Sequence, residues 1–253
     1  MFHNCTSLKT VNLHKGITKI ANHAFYNCVL LENINLPDST KELDYMTFTD
    51  CTSLKKIRIP SSVDLIHSLF KGCNSLEEIE VDTDNKAYCD ENGVLFNKSK
   101  ILLIKFPENK IVPYYQIPNT VKVIQSDAFS GCKFIKQITQ AKQKYINGEL
   151  KLPLSLQYID PNAFADCENL KSLELVNYVS LQECFNKCSS LDHIKITKKQ
   201  LNSDNSFLNH LKKKHILSIE NIFIILKLLL ECKVDFKFTY YPLTRFYLLS
   251  WLF

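Results

Sequence analysis

The chain has 253 residues, 45% of them hydrophobic and 23% charged, with a formal net charge of +5, enough for one large or two small domains with a sizeable core. Nine Lys/Arg and four Asp/Glu fall from Thr197 onward, so the preceding 196 residues hold 22 of each sign and are neutral, which excludes a nucleic-acid-binding surface there. Ten cysteines would suit a disulfide framework in a small secreted domain, but their spacing points elsewhere.

The first segment, FHNCTSLKTVNL from Phe2, has no basic start followed by a long apolar run, so it is not a secretory signal peptide. It already carries a phrase that returns down the chain, and the expectation is a fragment or an upstream start. The phrase is Phe-x-x-Cys-x-x-aliphatic, at Phe2, Phe25, Phe48, Phe70, Phe129, Phe164 and Phe185. The first four phenylalanines are 23, 23 and 22 residues apart and the last two 21 apart. A fixed period in the twenties predicts a solenoid with one supersecondary unit per turn. After each phrase comes an alternating stretch (LKTVNL, LENINLP, LKKIRIP, LEEIEV and, later, IKQIT, LKSLEL, LDHIKI), the period-2 pattern of a half-buried strand. Pro or a substitute ends that strand, as at Pro60, Pro118 and Pro153. A second apolar pair follows, such as Val63 and Ile66, and the segment around the next Phe closes the turn as a tight or short helical corner. Each turn is too small to bury its own apolar face, so stacking must bury Phe, Cys and Leu in columns. The motif cysteines Cys5, Cys28, Cys51, Cys73, Cys132, Cys167 and Cys188 should therefore point inward as small hydrophobes. In-register side chains run parallel, which suits disulfide geometry poorly.

A spacing of 59 residues from Phe70 to Phe129 interrupts the period. Turn signals at DENG and NKSK, flanking VLF, predict a short hairpin that replaces or extends one turn. A second insertion, QAKQKYINGELK, lengthens the Phe129 turn. After Ile196 the pattern dissolves. FLNHLKKKHILSIENIFIILKLLLECKV reads as one or two helices, either a C-terminal cap or, less favoured because Glu220, Lys227 and Glu231 interrupt it, a membrane-associating segment.

No glycine-rich phosphate loop, Gly-x-Ser-x-Gly elbow or His-Glu-x-x-His helix occurs, and the seven histidines do not pair at metal spacing. No cofactor, metal or catalytic residue is assigned, and the chain is not expected to be an enzyme. Cys89 and Cys232 lie outside the columns and read as partly buried thiols. The sequons at Asn4 and Asn97 are weak pointers to secretion, with Asn97 expected exposed in a hairpin turn. The informative surface is the outward strand positions, which share one sheet face. In order they are Thr10/Asn12, Asn33/Asn35, Lys56/Arg58, Glu78/Glu80, Gln137/Thr139, Ser172/Glu174 and His193/Lys195. Lys56 and Arg58 facing Glu78 and Glu80 predict a cross-strand ion ladder. Lys56, Arg58, Glu78, Glu80, Gln137, Glu174 and Lys195 are the candidate contacts for a protein partner.

The stretch LKKIRIPSSVDLIHSLFKGCNSLEEIEV resembles the BspA-like (type 5) leucine-rich repeat. The insert, with its Asn-x-x-Tyr (NKAY), Gly-Val-Leu and apolar strand ending in Pro, is also similar to that family's. The resemblance covers roughly Phe2 to Ile196. It departs from the pattern where Pro is replaced by His14, Val81, Thr139 and Val176. It implies a leucine-rich-repeat solenoid of short parallel β-strands over residues 1–196, with an insert at about 81–117 and a helical, apolar tail over 197–253. It also implies a non-enzymatic, protein-binding role, adhesin-like or surface-antigen-like, with a concave sheet facing a protein partner such as a host or matrix protein. The alternatives are a truncated or degenerate member, or an intracellular scaffold. Compartment is left open between cell surface or secreted, which the family suggests, and cytoplasm.

Overall fold

The computed structural model describes residues 2–112, 114–135, 137–139, 149–151, 156–174, 184–190 and 193–195. Its strands in chain order are β1 (Thr10–Asn12), β2 (Lys19–Ile20), β3 (Asn33–Asn35), β4 (Glu42–Leu43), β5 (Lys56–Ile59), β6 (Leu65–Ile66) and β7 (Glu78–Val81). Then come β8 (Tyr88–Glu91), β9 (Val94–Asn97), β10 (Leu102–Lys105), β11 (Tyr114–Gln116) and β12 (Val123–Ile124). The last are β13 (Gln137–Thr139), β14 (Glu149–Lys151), β15 (Tyr158–Ile159), β16 (Ser172–Glu174) and β17 (His193–Lys195). The turns form a β-solenoid with two sheets. The first carries the alternating strands, paired in parallel as β1–β3, β5–β7, β11–β13 and β14–β16–β17. The second is built from the short apolar stretch after the proline position, as β2–β4–β6 and β12–β15, with β10 of the insert added beside β12. The second insertion supplies β14, so it adds a strand to the first sheet rather than a loop alone. The C-terminal tail, with the cap and membrane readings made for it, lies outside the described residues. Among those that are described, no helix is long and apolar enough to cross a membrane.

The third side of each turn is the Phe-x-x-Cys corner. Of the two expectations, tight turns are what form. Ala24 N–H donates to Ala21 O (3.1 Å), Tyr26 N–H to His23 O (3.1 Å) and Cys28 N–H to Phe25 O (3.2 Å). His23 and Asn27 have φ of 57° and 56°, and such left-handed residues keep successive turns from continuing as a helix. Corner N–H groups donate to the next turn, as Phe25 to Thr47 O (3.0 Å) and Asn27 to Thr49 O (2.9 Å). On the strand side the direction reverses, as Glu32 N–H to Lys9 O (3.2 Å).

Inside, the phenylalanines stack nearly parallel. Ring centroids are 5.4, 5.6 and 5.8 Å apart along Phe2, Phe25, Phe48 and Phe70. Beside them run the thiols. Cys28, Cys51, Cys73, Cys132, Cys167 and Cys188 are buried and unbridged. Each donates to the carbonyl of a phenylalanine in the preceding turn: Cys28 to Phe2 (3.0 Å), Cys51 to Phe25 (3.1 Å), Cys73 to Phe48 (3.1 Å), Cys167 to Phe129 (3.0 Å) and Cys188 to Phe164 (2.9 Å). Cys132 reaches Phe106 at a longer 3.9 Å. Cys5, expected inward, is only half-buried, because among the described residues no preceding turn covers it. Cys184 takes the place that Ala24, Ala128 and Ala163 fill in other turns, immediately before the Phe, and is buried with them.

The hairpin expected between Phe70 and Phe129 is β8–β9, antiparallel, with a tip at Asn92 and Gly93 that are both left-handed (φ 52° and 74°), the signature of a type I′ turn. The hairpin closes the open edge of the first four turns. Tyr88 Oη accepts from Ile66 N–H (2.9 Å) and Asp90 Oδ1 from Val81 N–H (3.0 Å). Gly93 O accepts from Ile79 N–H (3.0 Å). Asn85, fully buried, donates to Pro60 O and Val63 O (2.8 and 2.9 Å) and accepts from the N–H groups of Ala87 and Tyr88 (2.9 and 2.7 Å). Beyond the hairpin, Phe106 starts a second ring column with Phe129, Phe164 and Phe185. Glu108 substitutes for a missing backbone acceptor by taking the Gly72 N–H (3.0 Å). Its counter-ion, Lys105, is equally buried, 3.1 Å away, and also donates to Asp127 O. Burial works to lower the Lys105 pKa, yet the Glu108 charge holds it above the ordinary value. Asn97, expected exposed in a turn, instead ends β9 half-buried, its Oδ1 accepting from Leu102 N–H (2.8 Å).

Candidate binding face

The outward positions of the first sheet come from strands whose inward residues Ile34, Ile57 and Ile79 are buried, so alternation forces their neighbours toward solvent. Parallel register then sets them in rows: Thr10 beside Asn33 and Asn12 beside Asn35, Lys56 beside Glu78 and Arg58 beside Glu80. The neutral Asn/Thr rows thus precede a strongly charged pair of rungs.

Lys56 Nζ lies 2.6 Å from Glu78 Oε2, the predicted cross-strand pair. The hydrogen bond raises the Lys56 pKa and lowers that of Glu78. Arg58 behaves differently from the expected ladder. Its guanidinium forks onto both carboxylate oxygens of Asp82 and also reaches Asp38 Oδ1 at 3.0 Å. Asp82 is fixed further by accepting the Ser61 N–H (3.0 Å). Glu80 remains exposed and, among the described residues, joins no ion pair. Sequence reasoning missed Asp82 because it lies just past the strand, outside the alternating frame.

On the far side of the hairpin, register places Gln137 beside Tyr114 and Thr139 beside Gln116. Glu174 stands between Lys151 and Lys195, and Ser172 between Glu149 and His193. The rows of Tyr114, Gln116, Glu149 and Lys151 were not anticipated, since both insertions lie outside the repeat frame. Ladder pairing groups Lys56, Arg58, Glu78 and Glu80 on β5–β7, whereas Gln137 belongs to β11–β13 and Glu174 and Lys195 to β14–β16–β17. At the splice between the two ring columns, a cleft beside Lys71, Lys105 and Asp127 holds about 10 Å³, room for one water rather than a substrate. Among the described residues, Glu42, Asp44 and His67 bring ligand atoms within 4.8 Å of one another, and these sit beside the second sheet instead.

The family described as the BspA type leucine-rich repeat region matches residues 1–115 and 106–228, in six copies. No curated protein matches the chain. Among solved structures, a leucine-rich cell surface protein from Faecalibacterium prausnitzii is 24% identical with a TM-score of 0.54, over 80% of this chain and 64% of that one. The chain thus spans less than two thirds of that protein. A leucine-rich repeat protein from Eubacterium ventriosum is 19% identical (TM-score 0.44, 76% of this chain and 73% of that one). The pneumococcal vaccine antigen PcpA is 18% identical (TM-score 0.47, 76% and 69%).

Proposed function

We propose that this chain, which belongs to the BspA type leucine-rich repeat family, is a non-enzymatic protein-binding module that docks a partner on the outward face of its first sheet. The observation that carries this reading is the row of mixed charge. Lys56, Arg58, Glu78 and Glu80 lie on two adjacent strands, presented by a rigid ladder of buried Ile57 and Ile79. Exposed pairs contribute little to stability, so these side chains remain available to a partner's complementary charges, which steer encounter and set register. Gln137, Glu174 and Lys195 would extend the face beyond the hairpin.

Display at the cell surface, with a host or matrix protein as the partner, is supported by the described surface character of the Faecalibacterium protein and belongs to this proposal. The test swaps charges between residues in register: Lys56→Glu with Glu78→Lys, and Glu174→Lys with Lys195→Glu. Immobilised wild type and swapped chains are probed against a panel of purified extracellular-matrix proteins. The expected result is a matrix ligand whose affinity falls about tenfold or more in the swapped chain, with the thermal midpoint unchanged. Equal binding by the swapped chain removes this face from the account, and a panel without a ligand removes the matrix partner.

A further inference from the structure

We propose that Glu42, Asp44 and His67 form a binding site for a divalent transition-metal ion of the zinc class, with the Lys19 ammonium as a resident competitor. The site arises from the repeat itself. Leu43 is buried in β4, so Glu42 and Asp44, on either side of it, both face outward. In the parallel register Leu43 pairs with Ile66, and the next residue, His67, donates its N–H to Leu43 O (3.2 Å). The imidazole is thereby set beside Asp44 from the neighbouring turn. One ligand atom from each of the three residues lies within 4.8 Å of the other two. Zinc-class bonds of about 2.0–2.2 Å place tetrahedral donors roughly 3.4 Å apart, so the side chains must rotate inward by up to about 1.4 Å from the separation found.

Charge and hydrogen bonding favour occupancy. Lys19 Nζ is 2.7 Å from Glu42 Oε1 and 3.1 Å from Asp44 Oδ2, so one ammonium faces two carboxylates. A dication neutralises both. Lys19 has a side chain 48% exposed and can swing into water at small cost, as exposed ion pairs do. Asp44 is already oriented, because Tyr45 N–H donates to its Oδ1 (2.9 Å), the type of outer contact that holds a ligating carboxylate. Among the described residues no hydrogen bond reaches the His67 imidazole, which leaves its ring nitrogens for coordination. An imidazole with two carboxylates selects a zinc-class ion over calcium or magnesium, which take oxygen donors. Three protein ligands leave a fourth position to water.

The test titrates the metal-free full chain with Co²⁺ and Zn²⁺, by calorimetry and absorption. The expected result is one ion per chain, with Co²⁺ spectra lacking the intense near-ultraviolet bands of thiolate ligation. His67→Ala and Glu42→Gln should each weaken binding about tenfold or more, and Lys19→Met should tighten it about fivefold. All three are surface substitutions, and an unchanged metal-free thermal midpoint verifies folding. Undiminished affinity in His67→Ala, thiolate bands with Co²⁺, or no binding by wild type and Lys19→Met would each overturn the proposal.

Discussion

A left-handed backbone at fixed places in each corner filters residue type one position at a time. The site two residues after the phenylalanine holds Asn4, Asn27, Asp50, Gly72, Gly131, Asp166 and Lys187, and the site two residues before it holds His23, Met46, Asp127 and Asn162, all with φ between 55° and 74°. Asn, Asp and Gly tolerate that region, whereas a Cβ with a longer chain strains it by about 1–2 kcal/mol. Met46→Asn should therefore stabilise the fold by about 0.5 kcal/mol. Gly131→Ala should cost about 2 kcal/mol or more, since its Cβ would also sit 2.6 Å from Glu108 Oε2. Urea midpoints measure both, and opposite signs are the expected outcome. The thiol column follows a second filter: only a small apolar group with a weak donor both fills the corner and caps the neighbouring Phe carbonyl. Native alkylation should label the half-exposed Cys5 and Cys89 before the buried seven. Mass spectrometry of labelled peptides checks the order, and early modification of Cys51 would contradict the column.

The hairpin insert is where an element, rather than a residue, decides stability. A solenoid cut after its fourth turn would expose N–H groups at Ile66, Ile79, Val81 and Gly72, and the insert meets all of them with a phenol, a carbonyl and two carboxylates. Asn85→Ala removes the partners of two carbonyls and two N–H groups at once. At about 1–3 kcal/mol for a buried unsatisfied group, a loss of about 3 kcal/mol or more is expected. Glu108→Gln leaves the Lys105 ammonium buried without its counter-charge, which should cost about 3–5 kcal/mol. If chemical denaturation shows less than 1 kcal/mol (roughly, on the same scale) for both, the insert is an appendage and not a plug. The hairpin itself could be read from DENG and NKSK. Its bonding could not, because a phenol reaching a backbone N–H 22 residues away leaves no periodic trace. Phe106 escaped for a similar reason: Pro107, Glu108 and Asn109 follow it where the repeat would place Cys, although its ring and N–H take the repeat's position.

At the scale of the whole molecule, the period fixed the stacking and the alternation fixed which residues face in, so the Lys56–Glu78 pair is legible in the sequence. Arg58 was not, since a long guanidinium chooses among acids beyond its strand, and the second sheet was not, since two-residue strands carry no alternation. The same stacking has a consequence for pH. Burial pushes the thiols of Cys51 and Cys184 up to about 12 from an ordinary 9.0, and raises those of Cys73 and Cys132 as well. A thiol that stays protonated in the fold but ionises in the unfolded chain adds stability that is intact below the unfolded pKa. That stability is lost as pH climbs from 9.0 toward about 12. Each such thiol contributes a slope of about 1.4 kcal/mol per pH unit in that window, and the slopes of several add. Urea midpoints should be flat from about pH 6 to 8 and then fall steeply. Cys51→Ala should shallow the fall by one thiol's share while lowering the plateau by its lost packing. A profile equally steep in wild type and Cys51→Ala would mean that the alkaline transition belongs to other groups and that the column's thiols ionise as freely in the fold as out of it.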